Sequence, residues 1–451
     1  MKTGRVAGLT LAGLALGIAF ALHSSADDTA KTAKPGDVTV ARIAEEASEG
    51  NNWLLNGRTF DGKHFSPLQQ ITDKNIGALG LAWALDIESG MGVVSEPIVV
   101  DGVIYVSAPL SIVYAVEAVS GKVLWRFDPQ VRLDQAINGS YSARVNAGVA
   151  VWNGKVYVGT GDCRLVAIDA ATAKQFWEAQ VCEPTQTGIT GAPHVARGKI
   201  LMGFNGSDDG VRGALVAYDA ETGKEAWRFW TVPGDPSKPF ETKALEMAAK
   251  TWGGKDWWKV GGGDVWNAIT YDDATGLVIF GTAGVGVDYG EFRMIKATGD
   301  RLFGECIIAV NADTGEYVWH YQTGTEGIHS ENNHILMADL VIDGEKRHVA
   351  MDGSQLVADE LQLTHWLGVC PNDGPAYGFE SRGGGRRRRR GALWTADRVG
   401  SREPIGALVG GRGNRDEWRG SFHGGQSGDS GARNGRICGV CRGHRDESLV
   451  H

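Results

Sequence analysis

The chain has 451 residues, among them 65 Gly, 15 Trp and 13 Pro, a mix of turn formers and large flat side chains that suits an all-β protein. That length holds one large domain or two ordinary ones. A formal charge of −9 excludes the broad basic face that general nucleic-acid binding uses.

Residues 1–26 read as a cleavable secretory signal peptide. Lys2 and Arg5 precede an apolar run from Ala7 to Leu22, and Ser24-Ser25-Ala26 supplies small residues before the acidic Asp27-Asp28. The run is short for a membrane span, and no Cys follows the cleavage site to carry a lipid. A soluble periplasmic protein that does not span the membrane is therefore expected. In an oxidising compartment, Cys163 and Cys182 flank a predicted hairpin and read either as a disulfide or as two buried thiols. Cys306 opens an apolar strand and reads as core.

From residue 113 onward a repeat organises the chain. Val113-Tyr-Ala-Val-Glu-Ala-Val-Ser-Gly121-Lys-Val-Leu-Trp125 recurs as Leu165 to Trp177, Leu215 to Trp227 and Ile307 to Trp319. Each copy is an alternating strand, a tight turn with Asp or Asn and usually Gly, and a second strand ending in Trp. Asp101-Gly102 and Asn153-Gly154 mark inner hairpins ahead of the early copies. Four strands in about 50 residues describe one blade of a β-propeller, with the Trp packing between neighbouring sheets. The Trp residues fall 52, 50 and then 92 residues apart, the last interval holding an insertion after Trp227. Glu241 to Trp252 is expected to form a short helix there, and Gly261-Gly262-Gly263 to end the excursion.

The pattern runs through the strand pair around Asp343-Gly344 to Met351 and then stops. From Ser354 to His451 there is no Lys, and Arg and Gly dominate, with Gly383 to Arg390 a low-complexity run. A reading-frame shift in GC-rich DNA accounts for this change, and a natural basic tail is the alternative. Disorder is expected over this segment on either account. The expected organisation is thus a signal peptide (1–26), a partial propeller (27–353) and a Gly/Arg-rich tail (354–451). Cys438-Gly-Val-Cys441 begins a c-type haem attachment motif, but Arg442 stands where the motif needs His.

Longer stretches carry a family resemblance: Asn56-Gly-Arg-Thr-Phe60, Phe65-Ser-Pro-Leu-Gln-Gln-Ile71, Trp227-Arg-Phe-Trp-Thr-Val-Pro-Gly-Asp-Pro236 and Lys259-Val-Gly-Gly-Gly-Asp-Val-Trp266. With the repeat, they make Glu46 to Met351 resemble the pyrroloquinoline quinone (PQQ)-dependent quinohaemoprotein alcohol dehydrogenases. The resemblance implies an eight-bladed propeller of which about the first half is present: some four blades and a strand at Leu81-Ala-Trp83. It also implies PQQ and calcium on the propeller axis, a small-molecule substrate and an electron acceptor such as a cytochrome c. Several members carry a haem c domain as well.

By the same resemblance, Trp266 stands where the quinone ring lies, or is a core Trp. Thr160 matches a Thr that bonds a PQQ carboxylate, or is a plain strand-end Thr. Gly206, Ser207 and Asp208 match a loop touching PQQ, with Asp208 a calcium ligand or a solvated turn acid. Asp300, in Thr298-Gly-Asp-Arg-Leu302, matches the catalytic base, or is a surface-turn acid.

The departures are as specific. Tyr141-Ser142 replaces the family's adjacent Cys pair. Ala147 replaces an Arg, leaving Arg144 close by as a substitute contact. Asp264 replaces a Thr beside the ring, where a second negative charge would be unfavourable. Gly284 replaces a calcium-binding Asn, leaving Asp288 as a substitute ligand. Ile328 to His334 stands where the family has an Asp-containing motif, and a Lys set against the quinone oxygens would fall beyond the break. The separated Cys pair is similar to lupanine hydroxylase within the family, which implies oxidation of a C–H beside an amine nitrogen instead of an alcohol. In an intact member, calcium would act as a Lewis acid on the quinone while Asp300 accepted a proton. Two further readings stand beside this one. One is a cofactor-free propeller scaffold for outer-membrane protein assembly. The other is an inactive, poorly folding half-ring with exposed strand edges.

Overall fold

A computed structural model describes residues 34–87, 92–134, 144–185, 187–206, 210–285, 297–325, 334–342, 344–352, 365–369 and 435–442, the last two as backbone alone. The described residues from Pro35 onward form one unit. It opens with a helix, α1 (Val40–Glu49), capped by the Thr39 hydroxyl and closed by Gly50 in the left-handed conformation. A strand, β1 (Leu79–Ile87), follows.

Four four-stranded antiparallel sheets come next, each a simple meander: β2 (Ile98–Val100), β3 (Val103–Ser107), β4 (Val113–Glu117) and β5 (Val123–Phe127); β6 (Ala150–Trp152), β7 (Lys155–Gly159), β8 (Arg164–Asp169) and β9 (Gln175–Gln180); β10 (His194–Ala196), β11 (Lys199–Gly203), β12 (Ala214–Asp219) and β13 (Glu225–Trp230); then, after the helix α2 (Lys243–Ala249), β14 (Ile269–Asp272), β15 (Leu277–Gly281), β16 (Cys306–Asn311) and β17 (Tyr317–Gln322). A fifth sheet of three strands holds β18 (Leu336–Ile342), β19 (Glu345–Asp352) and β20 (His365–Val369). The last strand, β21 (Gly435–Arg442), pairs antiparallel with β1. The blades expected from the repeat are these sheets. The rest of residues 353–451, like the expected signal peptide, lies outside the described residues.

The repeat works by docking one sheet on the next. In each of the first three sheets, a Trp in the fourth strand donates its indole N–H to a turn carbonyl of the following sheet: Trp125 to Ala170 (3.0 Å), Trp177 to Ala220 (3.3 Å) and Trp227 to Ala312 (3.1 Å). Trp83 of β1 does the same to Ala118 (3.0 Å). The turn glycine makes room, since a Cβ on Gly315 would stand 2.7 Å from the Trp227 ring, and its φ of +71° suits only glycine without strain. The second copy breaks this rule, with Ala173 at φ +60° where the others place Gly. Tyr105 and Tyr157 donate to the same two carbonyls, Ala170 and Ala220. Around these contacts lie the cores between sheets, among them Val113, Tyr157, Leu165 and Val216 between the first three, and Phe229, Phe280 and Ile308 between the third and fourth.

Asp101-Gly102 and Asn153-Gly154 form the expected hairpins, with positive φ at both turn residues. The insertion helix is shorter than the expected Glu241–Trp252. Thr242 caps it by accepting from the Leu245 N–H, and beyond Lys250 the chain turns so that Trp252 is buried against Trp257.

Residues 53–62 form a hub. Trp53 pairs with Val99 of β2, and the Asn56 amide donates to the carbonyls of Val149 and Pro193, beside β6 and β10. Phe60 packs edge-on against Tyr271 of β14, and the Asp61 carbonyl accepts from the Met337 N–H of β18. One segment thus touches the first strand, or the residue leading into it, in all five sheets.

Candidate cofactor face

In a meander, alternate connections emerge at alternate ends. The Asp-Gly hairpins and the Trp-bearing turns therefore share one end of the sheets. The links between second and third strands, and from sheet to sheet, share the other. All of the described candidates lie in these second links: Arg144, Thr160, Gly206, Asp264, Trp266 and Asp300. Tyr141, Ser142, Ser207, Asp208 and Asp288 lie outside the described residues.

Trp266 is 39% exposed and leaves part of its ring open to solvent. Its own carbonyl packs on Gly191, where any Cβ would stand 2.0 Å away. Asp264, two residues earlier, is buried and accepts from the Gly206 N–H (3.2 Å). Two residues drawn from distant motifs thus meet, with the Asp264 carboxylate holding the Gly206 N–H. The glycine run places the segment leading to Trp266 tightly against the third sheet, with the Thr231 hydroxyl bonded to the Gly213 and Gly263 carbonyls.

Thr160 is fully buried. Its hydroxyl donates to Asp162 (2.5 Å) and accepts from the Arg164 N–H (3.0 Å), so a ligand carboxylate would compete with Asp162 for it. Asp162 also receives the Arg164 guanidinium and both the backbone and side-chain N–H of Arg132. Burial alone would raise its pKa, but the bonds from Arg164, Thr160 and Arg132 outweigh that and hold it at about 2. Motif matching singled out Thr160 but missed this network, although Thr160, Asp162 and Arg164 share one parity along the chain. Beside it, Cys163 and Cys182 form a disulfide with their Cα atoms 5.1 Å apart. The Cys306 thiol donates to the Gly304 carbonyl.

Arg144 is exposed. Asp300 is exposed too, and its carboxylate makes no hydrogen bond to the described residues. The surrounding loop docks on the insertion, with Thr298 and Gly253 exchanging backbone hydrogen bonds (2.8 and 2.9 Å) and the Thr251 hydroxyl accepting from the Leu302 N–H.

A second group of residues was not assigned from sequence. His64, Glu96 and His334 converge at the hub, with their nearest donor atoms all within 4.8 Å of one another. Glu96 Oε1 accepts from the Trp53 indole and the Gly57 N–H, both at 2.8 Å, and lies 3.6 Å from His64 Nδ1. The His64 and His334 rings meet edge to face at 4.5 Å. His334 also lines a cavity of about 30 Å³ with Asn56 and His194. Burial, then the neighbouring His334, depress the His194 pKa to about 3. Burial lowers that of His334 as well. These residues come from three distant segments and share no local motif that could have revealed them.

Comparison with known proteins supplies the family. The family model for the glucose/ethanol/alcohol dehydrogenase β-propeller domain with PQQ matches residues 53–334. Quinohemoprotein alcohol dehydrogenase ADH-IIG of Pseudomonas putida is 45% identical over 356 residues, covering 78% of this chain and 49% of that protein. Lupanine 17-hydroxylase of a Pseudomonas species is 43% identical over 330 residues, covering 70% and 47%. The solved structure of the P. putida ADHIIG enzyme superposes with a TM-score of 0.66 at 46% identity, covering 71% of this chain and 48% of that one. The chain thus spans about half the length of the curated relatives it matches. With four blade-like sheets, a fifth beginning and the motif residues gathered at one end of them, the chain belongs to the family of PQQ-dependent dehydrogenases with a β-propeller domain.

Proposed function

We propose that this chain is the quinone-binding propeller portion of a periplasmic quinoprotein oxidoreductase. It would oxidise an alcohol, or a C–H next to an amine nitrogen, and pass electrons to an acceptor such as a cytochrome c. The observation that carries the reading is the joint placement of Trp266, Asp264 and Gly206 at the end of the sheets where Arg144 and Asp300 also emerge. The residues fit a planar, polyanionic cofactor: an exposed indole offers a stacking surface and the exposed Arg144 guanidinium a partner for a carboxylate. PQQ bound there would supply a two-electron acceptor. Calcium, a hard cation, calls for oxygen donors, and Asp208 and Asp288 are the candidates.

The protein's own part is positioning and proton transfer. Trp266 orients the ring, while the Asp264 to Gly206 bond fixes the adjoining loop. Asp300, on a loop pinned to the insertion, is free to accept a proton from a substrate hydroxyl. The lupanine-hydroxylase-like variant draws support from the Cys163–Cys182 bridge and from the likeness to that enzyme.

Titrating the purified chain with PQQ and Ca²⁺ tests the reading. Saturable quenching of tryptophan fluorescence at one quinone per chain is expected, with affinity at least tenfold weaker in Trp266→Ala. Absence of saturation, or an unchanged affinity in that variant, would overturn it. If dye-linked turnover of a primary alcohol or a cyclic amine is measurable, Asp300→Asn should lower kcat by about 100-fold or more, within the range usual for losing a general base.

A further inference from the structure

The hub carries a cluster that the quinone reading does not use. We propose that His64, Glu96 and His334 form a binding site for a divalent transition-metal ion of the zinc class, distinct from the calcium expected at the cofactor face.

The donor set is two imidazoles and one carboxylate, which suits zinc and its neighbours and disfavours calcium, a cation that takes oxygen ligands. The three donor atoms already lie within 4.8 Å of one another, a separation that small side-chain rotations close onto one ion. Each ligand is held from outside the cluster. The Trp53 indole and the Gly57 N–H fix Glu96 through a single oxygen, Oε1. The His64 N–H is bonded to the Gly57 carbonyl, in a backbone conformation of φ +51° that is strained for a side-chain-bearing residue. His334 leads directly into β18. Hydrogen-bonded support of this kind is what orients ligands in metal sites.

A second observation points the same way. The cavity beside His334 holds two buried polar atoms without a hydrogen-bond partner, His194 Nε2 and Asn56 Oδ1. Buried polar groups are seldom left so, and this pair marks a place for water next to the cluster. Three protein ligands and one water complete a four-coordinate ion.

Such an ion would tie the N-terminal segment, the entry to the first sheet and the entry to the fifth together. It would act as a clip across the hub, and this role does not depend on PQQ binding.

The test uses the full chain without a polyhistidine tag, stripped with a chelator and titrated with Zn²⁺ by calorimetry and with Co²⁺ by visible absorption. One Zn²⁺ per chain, a tetrahedral Co²⁺ spectrum and a rise in Tm on loading are expected. His64→Gln and His334→Gln should each weaken binding at least tenfold and abolish the tetrahedral spectrum, and Glu96→Gln should weaken it in the same direction. His64 is partly exposed, so its variant is the one that keeps the fold, as circular dichroism would verify. An octahedral Co²⁺ spectrum in the unmodified chain, sub-stoichiometric binding, or binding unchanged in folded His64→Gln would overturn the proposal, leaving the cluster as a hydrogen-bonded anchor for the hub.

Discussion

The two ends of the sheets follow different rules. At one end, the chain turns four times on nearly the same sequence, and each turn receives a Trp from the sheet before it: Trp83, Trp125, Trp177 and Trp227 onto the carbonyls of Ala118, Ala170, Ala220 and Ala312. At the other end the links share no repeated sequence and vary widely in length. There the chain places a disulfide, a charged network around Asp162, a helical insertion and the exposed Trp266. Uniform contacts set the spacing of the sheets, which leaves the opposite links free to differ without disturbing that spacing. The repeated packing is concentrated at the first end and the candidate cofactor residues at the second, as is usual where loops sit on a rigid scaffold.

Substitutions should separate the two ends. Trp227→Ala removes a buried indole seated over Gly315 and is expected to cost about 3–5 kcal/mol, read from denaturant midpoints, because it opens a cavity between the third and fourth sheets. Asp162→Asn breaks buried ion pairs and should cost about 3 kcal/mol. Because the folded-state pKa of Asp162 is held below the ordinary carboxylate value of about 3.9, its stabilisation is complete above about pH 4 and drains away as the pH falls toward about 2. The unmodified chain should therefore lose stability over that window more steeply than the Asn variant, as urea titrations at each pH would show. Replacing both Cys163 and Cys182 by Ser opens a loop with a sequence separation of 19 and should cost about 2–4 kcal/mol, measured the same way.

Two smaller effects sharpen the comparison. Trp266→Ala, at the variable end, is expected to alter stability by less than about 1 kcal/mol while weakening quinone binding. Ala173→Gly, at the regular end, should raise stability by about 1 kcal/mol, because Ala173 holds a left-handed conformation that costs other residues about that much. A destabilised Gly variant would mean that the turn relies on the Ala methyl group, and the regular end would then be less uniform than its sequence repeat.

The regular end was the legible one. Trp, Asp and Gly at fixed spacing state a local physical requirement (a tight turn with room above it), and local requirements survive in a single sequence. The candidate cofactor face was legible only where a long motif carried it, as at Trp266 and Asp264. Motif matching singled out both Asp264 and Gly206 but not the bond between them, in which the Asp264 carboxylate accepts from the Gly206 N–H. Thr160 shows a similar limit, since its burial and its bond to Asp162 arise from packing that position alone does not express. His64, Glu96 and His334 were not legible as a group. They meet only because residues 53–62 cross the first strands of all the sheets, and that path depends on hydrogen bonds between segments far apart in the chain.

That crossing path also orders events in time. The hub is among the first parts of the chain to be synthesised, yet its last described bond, from the Met337 N–H to the Asp61 carbonyl, needs a residue made 276 positions later. Contacts over such separations close late, because the loop entropy of the intervening chain must first be overcome. Early sheets can form as they are made, but the segment they surround stays unanchored on one side until the fifth sheet arrives. A nascent chain would thus remain open at its centre through most of its synthesis, and its folding would end where its sequence began.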